Sequence, residues 1–129
     1  RGALRFGLKR QKRLTQNVRA GYLAPYDTFE NRIANLKFVQ DIPMEQAVPS
    51  YSVIQYIERN LKQFDGYPIL IIWGSEDFCF NVKFLNKWRE IFPRAEVREV
   101  CNAGHLVVED ASDEIIPWIE GFLRKNNIF

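Results

Sequence analysis

The stretch Pro68-Ile69-Leu70-Ile71-Ile72-Trp73-Gly74 decides the architecture of this 129-residue chain. Its apolar run has no polar alternation and is bounded by a proline and a glycine. A strand with one wet face alternates, whereas a strand covered by helices on both faces does not. The segment therefore reads as a central parallel strand. Residues 95–100 read as a second strand, and the charges Glu96, Arg98 and Glu99 suit a sheet edge, where they discourage pairing with a foreign strand. Between the two, Asn81 is placed to cap a helix running to Phe92, with Phe84, Leu85, Trp88 and Ile91 inward and Pro93 as the stop. A last helix extends to about Lys125, with Asp113 as its cap so that Pro117 falls in the first turn. Strand, helix, strand, helix in this rhythm predicts an α/β fold with parallel strands.

Upstream, residues 1–20 read as one helix carrying Leu4, Leu8 and Leu14 among basic residues and ending near Gly21. Tyr22-Leu23-Ala24-Pro25-Tyr26 forms a connector. Asp27 with Glu30 three residues later has the form of a capping box and opens a helix to about Val39. Phe29, Ile33 and Leu36 recur at helical spacing and are expected to form a buried stripe. Asp41-Ile42-Pro43 ends that helix. Ser50 is placed to cap the next, whose apolar face is Val53, Ile54, Ile57, Leu61 and Phe64, with Asp65-Gly66 as the exit.

Composition narrows the function classes. With 47% hydrophobic residues the chain is not wholly disordered, and no apolar run approaches the roughly 20 residues that cross a bilayer. One His and two Cys leave no zinc constellation, and without a Gly-rich phosphate loop no cofactor is implied. Sparse cysteine and the lack of a secretory signal pattern favour the cytoplasm. Residues 1–26 hold Arg1, Arg5, Lys9, Arg10, Lys12, Arg13 and Arg19 without a single acid, within a net charge of +2. Such a run can contact nucleic acid, but it reads better as the solvated face of a helix.

In parallel α/β sheets, functional groups gather in the loops after the carboxyl ends of the strands. Two such loops follow the strands here, Gly74-Ser75-Glu76-Asp77 and Asn102-Ala103-Gly104-His105. Neighbouring strands would set Asp77 opposite His105. A carboxylate holding one imidazole nitrogen leaves the other free as a base, which is half of a hydrolytic triad. The duller readings are a turn aspartate at Asp77 and a helix-end imidazole at His105. Cys101 with His105 is a conceivable nucleophile pair, although their shared loop restricts alignment. Trp73 and Phe78 read as packing residues, and Glu109 and Asp110 as surface caps or pairs.

These residues also carry a resemblance. Ile72-Trp73-Gly74-Ser75-Glu76-Asp77, followed by Ala103-Gly104-His105-Leu106-Val107-Val108-Glu109-Asp110, is similar to the C-terminal part of the α/β-hydrolase fold. The resemblance implies that Asp77 is the catalytic acid, that His105 is the base, and that residues 1–24 are the tail of a helical cap before a catalytic region at 25–129. More narrowly, Trp73 to Phe80 and the Glu109-Asp110 pair resemble the haloalkane-dehalogenase-like branch, including its β-lactone decarboxylases, which use an Asp nucleophile where esterases use Ser. A Gly-x-Ser/Asp-x-Gly elbow is absent from the chain. It is therefore expected to be the C-terminal half of an enzyme acting on a small molecule, a hydrolase of the haloalkane-dehalogenase or epoxide-hydrolase type, inactive alone; the alternatives are a β-lactone decarboxylase and a non-catalytic interaction module. The strand at 68–73 is expected to lack a neighbour on one side and to pair with the protein's own N-terminal half or self-associate. Light scattering checks this: a monodisperse 15.2 kDa species with protected amides along 68–73 contradicts it.

Overall fold

The computed structural model describes residues 2–128. In chain order it contains α1 (Gly2–Gly7), α2 (Gln16–Leu23), α3 (Ile33–Gln40), α4 (Tyr51–Asn60), β1 (Leu70–Gly74), α5 (Val82–Ile91), β2 (Glu96–Val100) and α6 (Val107–Lys125), with short 3-10 turns between several of them. The uninterrupted apolar run becomes β1, and the charged segment becomes β2. The strands are parallel, with Leu70 opposite Glu96 and Gly74 opposite Val100. A parallel pair requires a crossover, since a tight hairpin would reverse the chain. α5 supplies it, and the fold is α/β as expected.

Local signals explain this half well. Asn81 caps α5, its side chain accepting from the Lys83 N–H at 3.0 Å. Leu85 is fully buried, while Trp88 stacks on Phe92 at 5.9 Å. Phe84, expected inward, is exposed and meets Phe80 edge-on. The core is Val100, Ala103, Ala111 and Ile115, with Ile72, Val107 and Trp118 packed against it. It therefore sits between the strands and α6. Burying each large aliphatic there contributes about 1.5–3 kcal/mol. The charges of β2 are paired as an edge requires: Glu96 with Arg98 and Lys125, and Glu99 with Arg89.

Other expectations need correction. Residues 1–20 are not one helix. Leu8 is buried, and the N–H groups of Lys9 and Arg10, which a helix would direct at carbonyls four residues back, point instead at the Asp110 carboxylate. The Gln11 amide donates to the Arg5 and Leu8 carbonyls beside this break. Thr15 then caps α2, accepting from Val18 N–H. The capping box does not form: Asp27 accepts from Thr28 and Asn31, Thr28 accepts from the Asn31 N–H, and α3 starts only at Ile33. Nor does Ser50 cap α4; its hydroxyl donates to the Asp41 carbonyl.

The expected buried stripes lie open. Phe29 is 76% exposed, and Ile33, Leu36, Val53, Ile54, Ile57 and Phe64 are exposed as well. Periodicity identifies which face is apolar, but the cover for that face must come from other segments. α6 starts at Val107 and bends at Ala111 (φ −140°, ψ 34°), so Asp113 is not its cap and Pro117 lies within the helix. Asp113 instead pairs with Arg13, and Glu114 with Arg10. Lys9 pairs with Glu76 at 3.4 Å. Part of the basic N-terminal run thus meets acids of the same chain.

Three backbone segments meet where glycines permit it. A Cβ on Gly74 would lie 2.3 Å from the Gly104 carbonyl oxygen, and one on Gly104 would lie 2.5 Å from that of Gly7. Gly121, by contrast, has open space around it inside α6. We predict that Gly74→Ala destabilises by about 1–3 kcal/mol through steric conflict with rigid backbone. Gly121→Ala should stabilise by about 0.5–1 kcal/mol, because alanine is the better helix former. Urea midpoints of the two variants check both signs. A second prediction concerns acid. The Arg13 guanidinium holds the Asp113 carboxyl below its ordinary range. A lowered folded value means that the stabilisation is complete above the ordinary carboxylate range and is lost as pH falls through the folded value. Asp113→Asn should therefore flatten the acid limb of stability as pH falls from the ordinary carboxylate range through the lower folded value, without changing stability below it. Denaturation at a series of pH values measures that limb.

Candidate active site

The site lies just beyond the carboxyl ends of β1 and β2. Ser75 N–H donates to the Val100 carbonyl at 3.0 Å, Glu76 N–H to the Ala103 carbonyl at 2.9 Å, and Asn102 N–H to the Ser75 hydroxyl at 3.2 Å. Asn102 adopts φ 55°, a left-handed turn that asparagine tolerates. These bonds lace the two loops together and put Asp77 beside His105.

Asp77 is held by its own loop. Its Oδ1 accepts from Cys79 N–H at 2.8 Å and Phe80 N–H at 2.9 Å. The carboxylate is 9% exposed and lies 3.0 Å from His105 Nδ1 through Oδ2. An ionised carboxylate can only accept, so Nδ1 carries the proton, and in the neutral imidazole Nε2 presents a lone pair. The imidazole is 37% exposed, and its Nε2 makes no hydrogen bond among the described residues. Two aromatic rings lie near it, Phe80 at 5.4 Å and Phe78 at 6.1 Å between ring centroids. Trp73 anchors this wall by donating its indole N–H to the Phe80 carbonyl at 2.8 Å. Trp73 is half-buried, but Phe78, expected as packing, is exposed beside the imidazole.

The arrangement can therefore take a proton at Nε2 while Asp77 fixes the tautomer and stabilises the imidazolium that forms. His105 is bonded to Asp77; Cys101 is an exposed free thiol whose carbonyl accepts from Arg10. Among the described residues no group of three or more His, Cys, Asp or Glu side chains could hold a metal ion. No helix there is long and apolar enough to cross a membrane.

Glu109 does lie at the surface, accepting from the Tyr22 hydroxyl at 2.9 Å. Asp110 does not. It is fully buried, and its carboxylate accepts from the N–H groups of Lys9, Arg10 and Gly104. The sequence holds one signal for this: Asp110 lies three residues after Val107 and directly before Ala111, on the apolar side of α6. An acid on that stripe is either an error of packing or a buried acceptor.

The comparisons agree with the α/β fold. A family model described as alpha/beta hydrolase fold matches residues 3–112. The chain is 44% identical over 119 residues to a cis-3-alkyl-4-alkyloxetan-2-one decarboxylase of Shewanella oneidensis, covering 92% of this chain and 37% of that protein. It is 38% identical over 125 residues to the protein of the same name from Xanthomonas campestris pv. campestris, covering 97% and 41%. The chain thus spans about two-fifths of the length of these curated relatives.

Proposed function

Because the chain belongs to the α/β-hydrolase fold family, we propose that it supplies the acid and base of an enzyme that decarboxylates a dialkyl β-lactone. The observation that carries the mechanism is the 3.0 Å contact between His105 Nδ1 and Asp77 Oδ2 at the ends of adjacent parallel strands. The substrate class comes from the two decarboxylase relatives. Residues 1–24 act as the tail of a cap, and the nucleophile comes from a Gly-x-Ser/Asp-x-Gly elbow elsewhere in the protein.

Chemistry defines the product. Removing CO2 from an oxetan-2-one breaks the C2–C3 and O1–C4 bonds and leaves a double bond between C3 and C4. A nucleophile attacks C4, and O1 leaves as a carboxylate. The C2–C3 electron pair then forms the alkene as the nucleophile departs and CO2 is released. Water is not consumed. His105, oriented by Asp77, serves attack and collapse by holding or moving a proton at Nε2. Phe78 and Phe80 flank the imidazole with apolar surface suited to alkyl substituents. No cofactor enters this scheme. The two free thiols, Cys79 and Cys101, support a reducing compartment such as the cytoplasm.

A second reading is hydrolysis of the haloalkane-dehalogenase or epoxide-hydrolase type, favoured by a Nε2 lone pair able to activate water. One experiment separates the two. The full-length protein is given a cis-3,4-dialkyl-oxetan-2-one in ¹⁸O-water. Decarboxylation yields an alkene that carries no oxygen, whereas hydrolysis yields a labelled β-hydroxy acid; formation of neither overturns both readings. His105→Ala should lower kcat by about 10²–10⁴-fold, and Asp77→Asn by at least about tenfold. Unchanged turnover in both variants would remove this pair from the mechanism.

A further inference from the structure

We propose that Asp110 is the positioning residue for His105 and couples it to the N-terminal segment formed by α1 and α2. The inference rests on His105 being the base. The buried Asp110 carboxylate accepts from Gly104 N–H at 2.7 Å, the residue immediately before His105. It also accepts from Arg10 N–H at 2.8 Å and from Lys9 N–H at 3.1 Å. On the other side of the imidazole, Leu106 N–H donates to the Gly7 carbonyl at 3.0 Å. Both backbone neighbours of His105 are therefore clamped, one directly by residue 7 and the other through a carboxylate shared with residues 9 and 10.

The close glycine contact tightens the connection. Gly104 packs against the Gly7 carbonyl too closely for any Cβ, so the two segments cannot slide independently. Farther out, Tyr22 of α2 donates to Glu109, next to Asp110. Among the described residues no side-chain cation is bonded to Asp110; its bonded partners there are backbone N–H groups from two stretches of chain distant from each other. A buried charge so compensated imposes a unique arrangement, since any shift of either stretch leaves the carboxylate under-satisfied. A displacement of residues 7–10 is thereby passed to the backbone of His105, where misplacement of about 1 Å costs about 10²-fold in rate.

The test uses the full-length protein. Asp110→Asn should lower kcat about 10–100-fold with KM nearly unchanged, and should shift the ¹⁵N resonances of the His105 imidazole in the absence of substrate. Ile115→Val, a buried change in the same helix that touches no polar group, should reduce stability and leave both readouts as in wild type. An Asp110→Asn protein that loses stability but keeps wild-type kcat and wild-type imidazole resonances overturns the proposal. Should that variant not fold, hydrogen exchange in the wild-type protein decides. The amides of Lys9, Arg10 and Gly104 should exchange at a common rate, because one opening releases all three; rates differing by more than about tenfold overturn the coupling. The resonance and exchange measurements need no turnover, whereas failure of the functional reading shows as full activity in His105→Ala, so the two failures are distinguishable.

Discussion

Much of the structure depends on the satisfaction of one buried carboxylate. Asp110 has 0% exposure and accepts from three backbone N–H groups of two stretches about a hundred residues apart. An ionised carboxylate taken from water loses several kcal/mol of hydration, which only well-aligned donors offset. Charge-assisted bonds of 2.7–3.1 Å are such donors. The break in the N-terminal helix follows directly. Residues 9 and 10 give up helical hydrogen bonds because their N–H groups have a stronger acceptor. Leu8 then turns into the interior, and Gly7 comes to rest against Gly104.

The parallel strand pair and the glycine contacts place the chemistry. Register puts Gly74 opposite Val100, so the two following loops begin side by side. Gly74 lets the Gly104 carbonyl approach within a distance no side chain allows, and the loops then exchange hydrogen bonds through Ser75 and Glu76. Asp77 has its carboxylate fixed by the N–H groups of Cys79 and Phe80 before it meets His105. The imidazole is thus oriented by a group that is itself oriented. Such nested constraint gives a base a fixed direction of approach.

α3 and α4 show a different balance. Their apolar residues keep helical spacing, yet they remain exposed, outside a core drawn from the N-terminal segment, α5, the strands and α6. Matching relatives are more than twice as long as this chain, which has only a two-stranded sheet among its described residues. Helix formation needs only local bonds and spacing. Burial of a helix face needs a partner surface, which no local pattern supplies.

Short-range physics in the sequence determined the α/β class, the two strands, the Asn81 cap and the opposition of Asp77 to His105. An unalternating apolar run, a charged edge segment and loops after strand ends each follow from rules that act within about ten residues or through strand adjacency. The tertiary structure alone decided the interrupted N-terminal helix, the burial of Asp110, the role of Asp113 as partner of Arg13, and the exposure of Phe78. Each of these is a competition between a local preference and a distant group. Lys9 and Arg10 choose between carbonyls four residues back and a carboxylate a hundred residues away. Asp113 chooses between capping its helix and pairing with a guanidinium brought from the other end of the chain. A sequence pattern ranks the local option, but the winner depends on distances that exist only after the chain has folded.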